Sequence, residues 1–348
     1  MINKSKFEVE EENKFFKKIN ILSNLVKQLY DDGVIKENIK IPRICMAGMK
    51  SGGKSSILES LFNINIFPIG DGVVTRRPIE LNLHHINSDE SWVTFEEIKG
   101  EKFSDFEKVK DKIESLTDEL CYRQEKCIDK PIILNAYSKK YADITLIDLP
   151  GIEPIRYIVP KNFELISEKI ARRYIKDPLN IILYVISGNS YINLHQNTIN
   201  NLDINESRTL GILTKLDIMD IGTDVREELL NKNNSFKFDF IGVKLRSKKD
   251  RLYNKMSVNE AKEKEKEFFK SHPIYGKMPD GYLGIDALMN KLAKLYFRVI
   301  KENLPQSIKI TINDILSNKK DEDNDLDEIS KNKDLKIREL LNMINQNC

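Results

Sequence analysis

Residues 43–62 read RICMAGMKSGGKSSILESLF, and within them Gly48 to Ser55 carry the spacing G-x-x-x-x-G-K-S. A short apolar run, a glycine loop and a helical pattern in that order leave few folds open. The loop must cap a buried strand of an α/β sheet, because only there do glycine backbone N–H groups and a helix N-terminus converge on one anion. The glycines, Gly48, Gly52 and Gly53, let the backbone wrap a polyphosphate. Lys54 reaches the β- and γ-phosphates, and the Ser55 hydroxyl holds Mg²⁺. A chance Gly/Ser-rich turn is the bland alternative, and the flanking strand and helix argue against it. The loop alone does not separate ATP from GTP.

Two further elements lie downstream, each ending an apolar run. In ITLIDLPG, Asp148 stands at the strand's C-terminal edge, where side chains enter the ligand crevice of such sheets. There it serves Mg²⁺, and Gly151 offers its N–H to the γ-phosphate. By itself Asp-x-Pro-Gly is also an ordinary turn. In TLGILTKLD, Thr214 to Asp217 close another strand. Guanine presents two donors on one edge and a carboxylate accepts both, which adenine does not offer. Asp217 therefore reads the base, and the Lys215 stem lies along the ring. A surface loop with an ion pair would explain four residues, but not three elements in this order. Together they specify GTP. Such a site also needs a hydroxyl between the loop and Asp148 to complete the Mg²⁺ shell and place a water. Thr75, in GDGVVTRRPIE, supplies it.

The remaining chain frames that site. Strand patterns IELNLHH, PIILNAY, ITLIDLP, NIILYVIS, TLGILTK and DFIGVKL alternate with helical ones such as NFELISEKIARRYI and DVREELLNK, which predicts a mostly parallel central sheet flanked by helices. Two longer stripes flank it: Phe15, Phe16, Ile19, Leu22, Leu25, Val26, Leu29 and Tyr30, and then Ile285, Leu288, Met289, Leu292, Leu295, Tyr296, Val299 and Ile300. A helix resumes after Pro305 to Leu316. SNKKDEDNDLDE has little to bury and reads as a disordered linker, and Leu335 to Ile344 form one more short pattern. The 348 residues carry 56 basic against 54 acidic side chains, a net charge of +2, so no basic surplus points to nucleic acid. The first residues lack the apolar segment of a signal peptide, and no run approaches the roughly eighteen apolar residues of a membrane span. Four cysteines, without metal-ligand spacing, read as reduced thiols of a cytoplasmic protein. His84, His85, His195 and His272 have no metal-ligand company and read as structural.

The stretches SGGKSSILESL, VVTRRPIEL, TLIDLPGI, RTLGILTKLDIMDIGTD, GVKLRSKKD and FFKSHPIYGKMPD, in this order from about residue 44 to 304, resemble the GTPase domain of the dynamin superfamily. The resemblance implies a P-loop GTPase domain plus a small helical bundle from the N- and C-terminal flanks. Its expected divisions are a bundle helix in 1–36, the GTPase domain in 37–284, a second bundle helix region in 285–316, and a linker with a short C-terminal helix in 317–348. It assigns Gly48, Ser51, Gly52, Gly53, Lys54, Ser55 and Ser56 to the phosphates, with Asp148 and Gly151. Thr214, Lys215 and Asp217 go to guanine, and Arg246, Ser247 and Lys248 to the loop over base and ribose. Ser55, Thr75 and Asp148 hold the metal. Lys50, Ser51, Thr75 and Gly151 serve hydrolysis. The expected cofactors are Mg²⁺ and a monovalent cation, Na⁺ or K⁺, unless Lys50 replaces it. The expected partners are GTP and GDP, a second head forming a homodimer, membranes reached indirectly or through further regions, and, by family analogy, microtubules. The expected output is membrane fission or organelle division, at a cytoplasmic location peripheral to membranes.

Three positions depart from the family's habit: Lys50 where glutamine is common, Leu245 where asparagine is usual, and Tyr191 near an acidic position. They keep a second reading open, a GTP-dependent assembly module that dimerises and hardly hydrolyses. An ATP-dependent P-loop protein is a third, opposed by Asp217. No stalk, membrane module or effector segment is recognisable after Pro305, so the chain reads as a piece of a longer protein or a short member. Leu335–Ile344 reads as too short and too close to form a third bundle helix.

Overall fold

The computed structural model describes residues 2–31, 41–68, 74–121, 127–152, 166–190, 195, 198, 206–220, 222–232, 238–303 and 328–347. The Gly-rich turn before Val74, Tyr191, Pro305, the helix resumed to Leu316, the charged run to residue 327 and Cys348 lie outside them.

Among the described residues nine strands form one mixed sheet: β1 Arg43–Gly48, β2 Ile79–His85, β3 Trp92–Phe95, β4 Ile98–Phe103, β5 Ile132–Ser138, β6 Ile144–Asp148, β7 Asn180–Ser187, β8 Thr209–Thr214 and β9 Phe240–Gly242. Their order is β4-β3-β5-β2-β6-β1-β7-β8-β9. Five of the eight neighbouring pairs are parallel, and the antiparallel ones involve β2 with β6 and the β3–β4 edge. The β3–β4 hairpin was not among the strands expected. Its outer strand, IKGEKF, has four exposed residues in a row and so carries no buried period.

The centre of the sheet is covered on both faces, so its strands are apolar throughout. Every residue of β7 is buried. Alternation divides them between two cores. Ile44, Met46, Ile181, Leu183 and Val185 face one cluster, while Cys45, Ala47, Ile182, Tyr184 and Ile186 face the other. The described helices are α1 Ile2–Asp31, α2 Lys54–Phe62, α3 Phe106–Cys121, α4 Ile166–Ile175, α5 Arg226–Leu229, α6 Lys248–Leu252, α7 Val258–Ser271, α8 Ile285–Glu302 and α9 Glu328–Asn347. The first core takes residues from α1, α2, α3, α8 and α9, and the second from α4, α5 and α7.

Both long stripes are helices on the same core. Phe15, Ile19, Leu22, Val26 and Leu29 of α1 meet the α8 stripe there, with Phe15 edge-on to Tyr296 at 5.7 Å and Phe16 stacked on Phe62 at 5.6 Å. Tyr30 departs from its stripe and is exposed. The reading of 335–344 as too short is corrected. α9 runs 20 residues, packs against both α1 and α8, and buries Ile337, Leu340 and Ile344, while Leu335 stays exposed. Its helical state rests on being seated between two apolar stripes, which a local pattern does not register. The Lys18 ammonium donates to the Asn347 side-chain oxygen at its far end.

Candidate functional site

β1 delivers the chain to Gly48, whose φ is 123° and whose added Cβ would lie 2.2 Å from the Val185 carbonyl oxygen of β7. Only glycine passes there. The loop then turns through Ser51, at φ 56°, and Gly53 into α2. Lys54 is buried and donates to the Met49 carbonyl oxygen at 2.8 Å, which folds its ammonium over the loop.

Asp148 ends β6 beside this loop and is fully buried. Its Oδ2 accepts from Ser55 Oγ at 2.6 Å and from Thr75 Oγ1 at 3.2 Å, while its buried Oδ1 has no hydrogen-bond partner. Burial pushes the Asp148 carboxyl up and the Lys54 ammonium down, each opposed by the other's charge. Two hydroxyls and a carboxylate with a spare oxygen are the hard donor set that Mg²⁺ takes alongside phosphate and water. The residues present therefore fit the ion, and Ser55, Thr75 and Asp148 are the ones that would hold it. Among the described residues no group of three or more His, Cys, Asp or Glu forms another metal site.

Gly151 follows β6 and lies against the loop. Ile152 N donates to the Gly48 carbonyl at 2.9 Å, and a Cβ on Gly151 would meet Lys50 Cα at 2.4 Å. The end of β8 is tied in the same way, since Thr214 Oγ1 donates to the Gly52 carbonyl at 2.8 Å. Lys215, at φ 60°, turns the chain into a short 3₁₀ segment carrying Asp217, whose Oδ2 is 3.7 Å from Lys244 Nζ.

These segments enclose a cavity of about 400 Å³. Lys50, Ser51, Gly52, Gly53, Lys54, Ser55, Ser56, Thr75 and Gly151 line one end. Thr214, Lys215, Asp217, Arg246, Ser247 and Lys248 line it elsewhere, with Leu245 and Ile218 as apolar wall. Of the expected set, Gly48 and Asp148 lie beneath the surface. The cavity meets the C-terminal ends of β1, β6 and β8, the rim where open α/β sheets bind ligands.

Two expected side chains are spent on the wall itself. Ser247 caps α6, accepting from Asp250 N. Arg246 donates to the Met256 carbonyl at 3.0 Å and to Glu59 Oε2 at 3.1 Å. The sequence reading missed its partners. Glu59, on α2 and wholly buried, also takes the Arg251 guanidinium, which donates to Ser56 Oγ at 3.1 Å as well. Burial pushes the Glu59 carboxyl up, and Arg251 and Arg246 hold it down. One carboxylate between two guanidiniums thus braces the segment after β9 against α2, and removing it would strand two buried cations. The S-x-x-D signature of the α6 capping box was the available signal, since it places Arg251 in a helix at the cavity's edge.

Residues 44–216 match the family model described as Dynamin family, and residues 224–348 match that of the dynamin central region. The second match runs to the last residue, which corrects the expectation that no family segment is recognisable after Pro305. Dynamin-related protein 3B of Arabidopsis thaliana is 34% identical over 308 residues, covering 86% of this chain and 39% of that protein. Dynamin-related protein 3A of the same plant is 32% identical over 339 residues, 95% of this chain and 41% of that protein. Dynamin-1 of Rattus norvegicus is 34% identical over 287 residues, 81% of this chain and 33% of that protein. The chain spans about two fifths or less of the length of these curated relatives. With an α/β sheet carrying the phosphate loop, and two family models matched in sequence order, the chain belongs to the dynamin superfamily of large GTPases.

Proposed function

We propose that this chain is a GTPase head that binds Mg²⁺·GTP, hydrolyses it faster when two heads meet, and drives membrane remodelling. One observation carries the reading: Ser55 and Thr75 converge on Asp148 Oδ2 beside Lys54, while Asp217 lines the same cavity. A triphosphate laid along the loop brings its β- and γ-oxygens to Lys54 and the α2 N-terminus, and guanine to Asp217. Bound Mg²⁺ would offset charge on those phosphate oxygens. Thr75 and the backbone at Gly151 orient the attacking water, with no covalent intermediate and no protein general base. Ser51 and Lys50 line the phosphate end. The Lys50 ammonium there stands in for a monovalent cation, and a fixed cation at developing charge is worth about 10³-fold or more in rate by analogy with arginine fingers.

The second reading, an assembly module with little turnover, is favoured by the same Lys50 and by Leu245, whose Cδ1 sits 2.9 Å from where a Gly53 Cβ would be and closes the wall apolar. GTP turnover per molecule, measured against protein concentration with Mg²⁺ and K⁺, separates the two. Specific activity that climbs with concentration is expected. Flat, near-zero turnover with tight GTP binding would leave the assembly module. Repeating the assay in Na⁺ and in a large inert cation tests Lys50, since equal rates are expected and strong Na⁺/K⁺ dependence refutes the replacement. The partners in the cell are proposed at the same level: a second head, a membrane reached peripherally, and microtubules by family analogy.

A further inference from the structure

Glu265 of α7 lies outside the cavity and is 2% exposed, yet both its oxygens are engaged by backbone N–H groups of different elements. Lys244 N, just beyond β9, donates to Oε1 at 2.7 Å, and Ile285 N, the first residue of α8, donates to Oε2 at 2.8 Å. α8 has no side-chain cap of its own, since its N-cap is Gly284. Glu265 therefore satisfies an orphan N–H and meets the positive end of that helix from outside it. Gly242 N to the Tyr282 carbonyl, 2.9 Å, and Gly284 N to the Gly242 carbonyl, 2.8 Å, run alongside. The start of α8 and the end of β9 are thus tied together by four hydrogen bonds.

The other end of Lys244 points at the base reader: its ammonium is 3.7 Å from Asp217 Oδ2. One residue is gripped through its backbone by Glu265 and reaches the guanine-reading carboxylate through its side chain. Burial pushes the Glu265 carboxyl up to about 7, with Asp286 pushing the same way and the two N–H groups and Lys262 opposing it. The charged form is costly, and it is held by the two contacts that make the bridge.

We propose that Glu265 is a specificity-determining positioning residue, which by fixing the Lys244 backbone to the first turn of α8 sets where Lys244 meets Asp217 and ties guanine discrimination to α8. The proposal rests on the reading of Asp217 as the guanine contact. A purely structural Glu265 would change affinity for every nucleotide by one factor; a positioning role changes the ratio between bases. The test uses the full chain and Glu265→Gln and Lys244→Ala. Affinities are measured for GDP, for IDP, which lacks the exocyclic amine, and for ADP, with amide exchange at Ile285 to Leu288 in the presence and absence of GDP. Glu265→Gln is expected to cut the GDP-over-IDP preference about tenfold, the worth of one misplaced hydrogen bond to a charged group, and to speed exchange at Ile285. Lys244→Ala is expected to cut the same preference and to abolish the slowing of Ile285 exchange by GDP, leaving exchange in the nucleotide-free chain as in wild type. Should Glu265→Gln fail to fold, Lys244→Ala decides, because it leaves the backbone bridge in place. Wild-type chain that bound ADP as tightly as GDP would overturn the guanine reading and this inference with it. Wild-type chain selective for GDP whose ratio and GDP-dependent exchange survive Lys244→Ala would overturn this inference alone.

Discussion

Gly151 is where the segment after β6 comes closest to the backbone of the Gly48–Ser55 loop. A methyl group there would sit 2.4 Å from Lys50 Cα and 2.7 Å from Lys50 N, and backbone does not yield as a side chain would. The Ile152-to-Gly48 hydrogen bond holds the same two segments together from the next residue. Gly151→Ala must therefore push the segment after β6 away from the loop, displacing whatever it positions over the γ-phosphate. A displacement of about 1 Å at a reacting centre costs about 100-fold in rate. GTP turnover by Gly151→Ala is expected to fall by about that factor, while GDP, which lacks the γ-phosphate, binds within a few-fold of wild type. Steady-state turnover together with GDP titration checks both halves. Loss of GDP binding as large as the loss of turnover would show that the contact shapes the whole loop instead.

At the scale of elements, the sharpest test falls on α9, the helix that the sequence understated. Leu340 is 1% exposed, whereas Leu335, five residues earlier, is 56% exposed. Leu340→Ala opens a cavity between α9 and its neighbours and is expected to cost about 2–5 kcal/mol. Leu335→Ala is expected to stay within about 0.5 kcal/mol of wild type. Denaturant unfolding of the two variants checks the seating of α9, and equal effects would refute it. The same contrast explains what was legible. The stripes of α1 and α8 repeat at three and four residues over several turns, so their pattern declares them. α9 buries Ile337, Leu340 and Ile344 from a polar surround, and its partners lie far away in the chain. In the site, Lys54, Ser55, Asp148, Thr214 and Asp217 could be read because each sits in a short motif at a strand end. That Glu59 pairs with Arg246 and Arg251 could not, because these pairs join residues 187 and 192 positions apart. Glu265 acts on backbone N–H groups, which leave no mark in a sequence.

For the whole molecule, the decisive feature is where the cavity lies in the sheet. β1 has β6 on one side and β7 on the other, and its loop is tied to β6 through Asp148 and to β8 through Thr214. A nucleotide bound there, as proposed, would touch three strand ends and the starts of α2 and α6, so its binding energy would be distributed over the centre of the fold. Ligand that binds only the folded chain raises stability by about 2.7 kcal/mol at a hundredfold excess over its dissociation constant. For a chain of 348 residues that is about 4 °C in midpoint. Mg²⁺·GDP is expected to give a rise of this order in a thermal unfolding scan. Chelating Mg²⁺ is expected to remove part of it, because Ser55, Thr75 and Asp148 would then have no ion to hold, and ADP at the same concentration is expected to give little. The three arms divide the site between its parts. A rise that survives chelation would place the binding energy in the loop and Asp217 alone. An equal rise with ADP would place it in the phosphates, leaving Asp217 and Lys244 with no part in choosing the base.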